Sequence, residues 1–375
     1  VGASVLGGPY AIAPNAATGT GINNYVITYV NGVMTVTPAL VSVTAVAQSK
    51  TYDGATNAAV TLTPTGIVAA DLSSVTVGYT AASFATQNVA YQVNASTVTT
   101  QAVAVTGINL TGSAASNYVL GNLSATTTAT INPATLVVAA SAVDKVYDAT
   151  SAATVTLTNN AIAGDVVAVT YTGATFSSAD VAFTAGANPV VTSKVVTVAG
   201  LVLSGAQQGN YTLGSVSSVS TQATITPASL TITASGNNKV YDGTGAATVG
   251  LSIAGLKSSD NVTGAYASAT FADVNVGNNI PVSIVGLSIH AVGNTNTSNY
   301  VMNTTTSAFG NITPAALTVS ASAASMTYGD SSPTYAYTTS GWVNATEQTN
   351  AATLLTGVTV SASAANAGVY ADTII

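Results

Sequence analysis

Hydrophobic and polar residues alternate along most of the chain. The alternation is clear in residues 41–47 and 230–235, where every second position is Val, Ala, Leu or Ile and the positions between are mostly Ser or Thr. A period of two residues predicts β-strands that bury one face. Val and Thr favour the extended backbone, and Gly, Asn, Asp and Pro interrupt the runs after about ten residues. The chain is therefore predicted to be all-β.

Two dipeptides return at nearly constant spacing and divide the chain into repeats. Tyr-Asp begins at Tyr52, Tyr147 and Tyr241, which are 95 and 94 residues apart. Pro-Ala begins at Pro38, Pro133, Pro227 and Pro314, at spacings of 95, 94 and 87 residues. A repeat of this length is one small domain copied in tandem. We predict three full repeats between two partial modules, with bounds at 1–39, 40–133, 134–227, 228–314 and 315–375.

The strand density within a repeat predicts its architecture. About seven to nine short strands per repeat are typical of an immunoglobulin-like β-sandwich. The alternative is a parallel β-helix, which needs a period of roughly 20 to 30 residues inside each repeat, and no such period is visible. Successive repeats meet at Pro-Ala without a Gly/Ser linker, and proline restricts both its own φ and the residue before it. We therefore predict tandem sandwich modules arranged as an extended rod with limited bending.

Charged residues are scarce, which excludes several functions. Five lysines, no arginine, eleven aspartates and one glutamate give a net charge of −7, and only 5% of residues are charged. This composition cannot neutralise a nucleic-acid backbone. Hydrophobic residues make up 47% of the chain, but no apolar run approaches the roughly 18 residues that span a bilayer. The outer faces are predicted to be neutral and self-adhesive, and the absence of cysteine removes disulfides and thiolate chemistry.

The motifs around the Tyr-Asp pairs resemble a known family. Lys50-Thr-Tyr-Asp-Gly54, Lys145-Val-Tyr-Asp-Ala149 and Lys239-Val-Tyr-Asp-Gly243, each closed downstream by Asn-Tyr and Pro-Ala, resemble the YDG repeat. Residues 1–39 and 315–375 resemble the C-terminal half and the N-terminal part of the related MBG module, the latter through Met326-Thr-Tyr-Gly-Asp330. Ala149 departs from the glycine of the motif, so its turn cannot require a conformation that only glycine adopts.

This resemblance also implies a setting. Such modules occur in long secreted bacterial surface proteins, including filamentous-haemagglutinin-like adhesins exported by two-partner secretion, which implies an extracellular or cell-surface location and an adhesive or scaffolding role. Gly368-Val-Tyr370-Ala is similar to Gly8-Pro-Tyr10-Ala, which indicates a longer period of 360 residues made of three YDG modules and one MBG module.

Three of the five lysines occupy one repeat position, three residues before an aspartate: Lys50, Lys145 and Lys239. The favoured interpretation is a lysine at a strand end, a tyrosine that fills the end of the sandwich and an aspartate that caps a turn. The alternative is an isopeptide bond from each lysine to an asparagine, with Asn117, Asn210 and Asn299 as candidates. That chemistry needs a buried carboxyl of raised pKa, and the single glutamate argues against it.

Other candidate residues give weaker signals. Asp71, Asp165 and Asp260 recur singly, without the density of oxygen ligands that calcium needs, so we predict that they cap turns or strand ends. His290 is the only histidine and stands beside no repeated acid or serine motif. Trp342 is predicted to fill the core of the terminal module. The sequons at Asn109 and Asn303 are expected by chance in a Thr-rich chain. No catalytic, cofactor-binding or metal-binding residue is predicted, and no cofactor.

The repetition favours a structural role, because a catalytic site needs unlike groups brought together once. We predict a non-enzymatic repeat segment that forms a stiff shaft of a large secreted bacterial adhesin. The alternative is a subunit of an extracellular filament, joined by strand addition between the partial end modules. A carbohydrate-binding module is less favoured, because no repeated exposed aromatic pocket is evident. The predicted partners are neighbouring copies or repeats of the same protein and a surface receptor, without nucleic acid or a membrane span.

Overall fold

A computed structural model describes residues 2–93, 95–258, 260–327, 329–361 and 373–374. Tyr328 of the MBG-like motif and the 368–371 end of the 360-residue period lie outside the described residues. Strands dominate, which confirms the all-β prediction. The chain forms two compact units, of which one comprises Val1–Ser141, Val155–Ala174 and Thr197–Thr221 and the other Ala142–Thr154, Thr175–Val196 and Gln222–Ile375. Repeats 1, 2 and 3 below denote residues 40–133, 134–227 and 228–314.

The N-terminal segment, residues 1–39, contains one hairpin-like pair. Its elements are β1 (Tyr10–Ile12), a 3-10 turn (Ile22–Asn24) and β2 (Gly32–Met34). The two strands pair antiparallel, with Tyr10 opposite Met34. Every residue of β2 is exposed, so this segment buries little of its own apolar surface.

Repeat 1 is a sandwich of two sheets around one core. Its strands are β3 (Ala39–Ala47), β4 (Lys50–Thr51), β5 (Val60–Thr65), β6 (Thr76–Gly78), β7 (Ala81–Phe84), β8 (Gln101–Thr106), β9 (Asn109–Thr111), β10 (Tyr118–Leu120), β11 (Ser124–Ala129) and β12 (Ile131–Asn132), with 3-10 turns at Ala69–Asp71 and Ala115–Asn117. One sheet has the order β10-β3-β5 and the other β11-β8-β7. Val41 and Val43 of β3 are buried against Val105 of β8, as the alternating pattern predicts.

Repeat 2 contributes strands to both compact units. Its strands are β13 (Ala134–Thr135), β14 (Val138–Ala142), β15 (Lys145–Val146), β16 (Val155–Asn159), β17 (Ala168–Thr170), β18 (Gly173–Phe176), β19 (Ser193–Ala199), β20 (Val202–Ser204), β21 (Tyr211–Thr212) and β22 (Ser218–Thr226), with a 3-10 turn at Gln208–Asn210. In the first unit β13 pairs parallel with β21 and β17 pairs antiparallel with β20. In the second unit β15 pairs parallel with the end of β22.

Repeat 3 has the two-sheet plan of repeat 1. Its strands are β23 (Ala228–Gly236), β24 (Lys239–Val240), β25 (Val249–Ala254), β26 (Asn261–Ala265), β27 (Ser268–Phe271), β28 (Gly277–Val285), β29 (Ser288–Val292), β30 (Tyr300–Met302) and β31 (Ser307–Thr313), with a 3-10 turn at Thr297–Asn299. The sheets have the orders β25-β23-β30 and β24-β31-β28-β27. Ile232, Val282 and Ile312 fill the core between them.

The C-terminal segment, residues 315–375, adds the only helices longer than a 3-10 turn among the described residues. It contains β32 (Thr318–Ala321), β33 (Tyr337–Ser340), α1 (Ala345–Thr349), α2 (Ala351–Leu354), β34 (Val360–Ser361) and β35 (Thr373–Ile374). The strand pattern did not predict these helices. Asn344 accepts a hydrogen bond from the Glu347 amide and so caps the start of α1. No helix in the described part of the chain is long and apolar enough to cross a membrane.

The turn after each Tyr-Asp pair adopts a left-handed backbone conformation. Gly54 and Gly243 have φ values of 76° and 70°, and Ala149 has 65° at the equivalent position. Alanine tolerates this region, in agreement with the sequence argument, but its Cβ makes the conformation cost about 1 kcal/mol.

We therefore expect Ala149→Gly to stabilise the chain. The relief of the left-handed strain exceeds the extra entropy that glycine adds to the unfolded state, so the net gain is about 0.5 kcal/mol. Gly54→Ala is the matched reverse change and should lower stability by a similar amount. Urea denaturation measures both, and a loss of stability in Ala149→Gly would contradict this account of the turn.

Candidate functional site

A carboxylate that accepts hydrogen bonds from two tyrosine hydroxyls recurs at the junctions between successive repeats. Asp165 of repeat 2 accepts hydrogen bonds from the hydroxyl of Tyr52 in repeat 1, at 2.9 Å, and from that of Tyr211 in repeat 2, at 2.6 Å. The two rings pack edge to face with centroids 5.5 Å apart, a favoured aromatic geometry. One side chain of repeat 1 is therefore held by two side chains of repeat 2.

The same arrangement occurs one repeat later. Asp260 of repeat 3 accepts from Tyr147 of repeat 2 at 2.8 Å and from Tyr300 of repeat 3 at 2.6 Å. The ring centroids of Tyr147 and Tyr300 lie 5.4 Å apart, again edge to face. We call each set a tyrosine joint: Tyr52, Asp165 and Tyr211 form the first, and Tyr147, Asp260 and Tyr300 the second.

Short strands and turns position the members of the first joint. Tyr52 directly follows β4, and its amide donates to the Asn132 carbonyl at the end of β12, 2.8 Å away. Asp165 closes a turn in which its amide donates to the Ile162 carbonyl at 3.0 Å. The Ile162 amide in turn donates to the Tyr211 hydroxyl at 2.8 Å. That hydroxyl therefore accepts one hydrogen bond and donates another, which fixes its direction.

A buried asparagine makes a second connection at each joint. Asn210 is 4% exposed; its Oδ1 accepts from the Val89 amide at 2.9 Å and its Nδ2 donates to Asn88 Oδ1 at 2.8 Å. In the next joint Asn299 is fully buried, accepts from the Val181 amide at 2.9 Å and donates to Asp180 at 2.7 Å. Buried polar groups are costly unless paired, so each asparagine holds the preceding repeat in one position.

Burial and the shared carboxylate change the titration of the joint tyrosines. Burial, together with the hydrogen bond to Asp165, raises the pKa of Tyr52 to about 12. Burial and the hydrogen bond to Asp260 raise the pKa of Tyr300 to about 12, and the same two causes raise the pKa of Tyr147. A phenolate would lose its donor and face a carboxylate. The joints therefore require neutral tyrosines.

The joint to the C-terminal segment uses a different acid. Tyr241 of repeat 3 donates a short hydrogen bond to Glu347 on α1, where the two earlier joints use aspartate. The only glutamate in the chain thus stands at a repeat junction. Sequence reasoning missed this role, although the isolation of one glutamate among eleven aspartates was a usable signal.

The recurring lysines hold the Tyr-Asp turn within each repeat. Lys50 Nζ donates to Asp53 at 2.7 Å and to the Ala55 carbonyl at 2.8 Å, and it lies 5.7 Å from the centre of the Phe84 ring. Lys145 and Lys239 repeat the ion pair at 2.8 and 2.6 Å. The hydrogen bond from Lys239 lowers the pKa of Asp242 to about 2, and that from Lys50 lowers the pKa of Asp53.

The geometry does not favour the isopeptide alternative. Each of the three lysine amines donates to an aspartate and to at least one backbone carbonyl. Asn117, Asn210 and Asn299 instead accept from the amides of Val5, Val89 and Val181. Each lysine amine and its candidate asparagine thus belong to different hydrogen-bond networks. We expect intact-mass spectrometry to give the full mass of the chain, and a loss of one ammonia per repeat would contradict this.

The remaining candidates are placed as follows. Asp71 accepts from the Tyr118 hydroxyl at 2.7 Å, so the carboxylates predicted to cap turns bind tyrosine hydroxyls instead. His290 is exposed on β29, and Trp342 is half-buried and donates to Thr339. Asn109 donates to the Gly107 carbonyl, and Asn303 bonds to Ile232. Among the described residues no three His, Cys, Asp or Glu residues are grouped as metal ligands would be.

We expect Asn299→Ala to cost about 1 to 3 kcal/mol, because it leaves the buried Val181 amide without its acceptor. Asn117 provides a matched control. It occupies the same repeat position and accepts from Val5, but it is only half-buried, so Asn117→Ala should cost about 1 kcal/mol or less. Urea midpoints of the two variants test the difference, and equal costs would contradict the proposed role of the buried asparagine.

Comparison with known families covers nearly the whole chain. The YDG domain matches residues 37–129, 132–221 and 226–308, and the MBG domain (YGX type) matches residues 317–374. No curated protein matches the chain. Tyr52 and Asp165 lie in successive YDG matches, and Tyr241 and Glu347 lie in a YDG match and the MBG match. The joints therefore connect neighbouring family modules.

Proposed function

We propose that this chain, which belongs to the YDG domain family, is a stiff, non-enzymatic shaft segment of a secreted bacterial surface protein. Its YDG and MBG domains make it a repeat segment of a large adhesin-like protein. The shaft role is an inference from the joints between those domains. The adhesin-type modules support an extracellular or cell-surface location.

The observation that carries the proposal is the doubled connection at each joint. A tyrosine of one repeat donates to a carboxylate of the next, and a buried asparagine of the next repeat returns a contact to the first. Tyr52, Phe84 and Val89 of repeat 1 also share a hydrophobic cluster with Leu136 and Tyr211 of repeat 2. Bending at the joint would break both hydrogen bonds and expose this apolar surface.

The covalent connection allows little freedom either. β12 ends at Asn132 and β13 begins at Ala134, with only Pro133 between them. At the next junction β22 ends at Thr226 and β23 begins at Ala228, with only Pro227 between. Proline fixes φ and constrains its predecessor. A connection of this kind limits how far one repeat can rotate relative to the next, as a stiff shaft requires.

The recurring polar groups support a structural role over catalysis. In both tyrosine joints the carboxylate accepts from two hydroxyl groups. In each repeat the lysine donates to an aspartate and to at least one backbone carbonyl. A general base or nucleophile needs a free lone pair aimed at a substrate. The hydrogen bonds of these groups connect the protein's own strands and repeats.

Small-angle X-ray scattering of the 375-residue chain at low concentration tests the shaft proposal. We expect a rod-like cross-sectional region and no sign of independent module motion. A variant with a short Gly-Ser insertion after Pro133 serves as the flexible control and should have a smaller radius of gyration and a raised Kratky plateau. Scattering from the unmodified chain that resembles that of the insertion variant would refute stiffness.

A further inference from the structure

One phenylalanine of repeat 3 lies on the outer surface of a sheet. Phe309 of β31 is 58% exposed, whereas Phe84, Phe176 and Phe271 are buried in the cores of their repeats. The residues on either side of Phe309 in the strand are buried, so its ring points away from the core. This ring is therefore available for contact with a ligand.

An exposed proline lies beside the ring on the next strand. Pro281 of β28 pairs with Phe309 in the antiparallel register of the sheet, and both residues are exposed. Directly opposite residues of such a pair have Cβ atoms about 5 Å apart, so the two rings form one small apolar area. Polar residues separate this area from Val240 and Val285, the exposed valines of the same face.

Three asparagines form a row next to this apolar area. The backbone amide of Asn311, two residues along β31 from Phe309, donates to Asn238 Oδ1 at 2.9 Å. Asn311 Oδ1 in turn accepts from the backbone amide of Asn279 at 2.8 Å. These bonds engage the oxygens of Asn238 and Asn311, and among the described residues their Nδ2 groups have no hydrogen-bond partner. The face thus carries oriented amide donors close to an aromatic ring.

An irregularity in β28 places the third asparagine of this row. The register of β28 with β31 shifts at Asn279, whose φ is 53°, a left-handed value that asparagine tolerates better than most residues. Five residues, 272–276, precede β28, whereas sixteen residues, 85–100 and 177–192, fill the corresponding connections of repeats 1 and 2. Bulges of this kind re-aim side chains next to binding sites.

The other two repeats carry different side chains at these positions. Counted from Pro-Ala, hydroxyl and amide residues take the places of Phe309 and Asn311: Thr128 and Thr130 in repeat 1, and Gln222 and Thr224 in repeat 2. The sandwich of repeat 1 forms with threonine at the first of these positions, so the fold does not require an aromatic ring there. The ring of Phe309 is thus a feature of repeat 3 that packing does not explain.

The outer face around Phe309 is uncharged. The only charged residue of β24, β27, β28 and β31 is Lys239, whose amine lies over the buried Phe271 ring and bonds to Asp242. An acidic or basic ligand would find no free counter-charge on these strands. The face is therefore complementary to a neutral ligand that has both apolar and hydroxyl surfaces.

We propose that this face of repeat 3 binds a neutral carbohydrate, with one hexose ring stacked on Phe309 and Pro281 and its hydroxyl groups bonded to the asparagine row. The negative face of an aromatic ring attracts the C–H groups that line one side of a pyranose. The Nδ2 groups of Asn238 and Asn311 donate to hydroxyl oxygens, and a few fixed polar groups of this kind orient a ligand. The proposal goes beyond the shaft role, because a stiff repeat need not bind a ligand.

A protein partner fits this face less well than a sugar does. The apolar area consists of the side chains of Phe309 and Pro281, whereas each partner in a stable protein interface buries about 800 Å². A pyranose presents an apolar side and a rim of hydroxyl groups, which match the adjoining ring and amides. The occupant is therefore a glycan and not a second copy of the chain.

A glycan array tests the class of ligand. The 375-residue chain, labelled at its N-terminus, is applied to neutral hexose and N-acetylhexosamine oligosaccharides and to sialylated and uronic-acid oligosaccharides. We expect binding to a group of the neutral glycans. A silent array, or binding confined to the acidic glycans, would overturn the proposal.

Titration calorimetry with the neutral oligosaccharide that binds the array best tests the residues. Phe309→Thr introduces the residue of repeat 1 and should weaken binding about tenfold, with an unchanged urea midpoint. Asn311→Thr should weaken it about fivefold. Val285→Thr is the matched control, because Val285 is 59% exposed on the same face, and it should bind like the parent.

Two results of these measurements would contradict the site. Equal affinities of Phe309→Thr and Val285→Thr would show that the ring does not contact the sugar. Sedimentation of the parent that reveals association with rising concentration, lost in Phe309→Thr, would show that the face is a contact between copies. Neither result affects the scattering test of stiffness, so failure of this proposal is distinguishable from failure of the shaft proposal.

Discussion

Tyr52→Ala should lower the free energy of unfolding by about 3 to 5 kcal/mol, the range for removal of a buried aromatic ring. The Tyr52 side chain is 4% exposed and belongs to the cluster that repeats 1 and 2 share. Its removal leaves a cavity at the joint, and Tyr211 loses its edge-to-face partner. Because the ring contacts both repeats, urea denaturation should show that the two repeats unfold less cooperatively.

Tyr52→Phe separates the hydroxyl from the ring. The ring stays, and the lost hydrogen bond to the Asp165 carboxylate should cost about 1.5 to 3 kcal/mol. Tyr171→Phe is the control, because that tyrosine is 36% exposed and donates only a long bond of 3.3 Å to a backbone carbonyl. It should cost less than about 0.5 kcal/mol. If both phenylalanine variants lose the same stability, the joint hydroxyl does not connect the repeats.

The strands were predictable because their cause is local. In β3, Val41 and Val43 are buried and Ser42 and Thr44 are exposed, so a sandwich core follows directly from the period of two. Repeat spacing also identified every member of the two tyrosine joints. Tyr52, Asp165 and Asn210 all belong to recurring motifs. From the sequence, however, Tyr52 was predicted to fill the end of a sandwich, Asp165 to cap a turn or strand end, and Asn210 was only a candidate in the isopeptide alternative.

The partners of these residues were not predictable because the contacts are distant in sequence. Tyr52 and Asp165 are 113 residues apart. Each repeat has an aspartate at the equivalent position, so the sequence does not show which of them Tyr52 binds. Only the geometry shows that Tyr52 bonds to Asp165 of the following repeat, while Asp71 of its own repeat bonds to Tyr118. Glu347 was harder still, since the helix that carries it interrupts the β pattern.

Each repeat contains two kinds of polar contact at separate places: a lysine–aspartate ion pair and a tyrosine–carboxylate hydrogen bond. The ion pairs of Lys50, Lys145 and Lys239 stabilise turns inside repeats, and the tyrosine joints connect one repeat to the next. Acid acts on the first set, because the aspartate pKa values are lowered and that stability is lost as pH falls below the ordinary value near 4. Alkali acts on the second set. Substitution of the tyrosines is needed to separate the two kinds of contact in alkali, because lysine amines titrate in the same range.

Alkaline pH should open the tyrosine joints before the repeats unfold. Folding raises the pKa of Tyr52 and Tyr300 from about 10 to about 12, since the phenolate would be buried beside a carboxylate. A raised pKa means that the stabilisation is complete below pH 10 and is lost as pH rises to about 12. Each of these two tyrosines contributes on the order of 2 kcal/mol to the free energy of unfolding. Opening both joints should therefore be among the largest losses of stability that can be produced without mutation.

Ultraviolet absorbance of tyrosinate measures the ionisation, and scattering at each pH measures the flexibility. We expect a group of tyrosines that ionises late, together with a fall in the radius of gyration as the joints open. Ordinary lysine amines titrate in the same range, so Tyr52→Phe is the necessary control. This variant should lose one late-ionising tyrosine, and its first joint should respond to alkali only through Tyr211, whose pKa is also raised by burial and by its hydrogen bond to Asp165. Ionisation of all tyrosines in a single step at about pH 10, with the scattering unchanged, would show that the joints do not depend on neutral tyrosine.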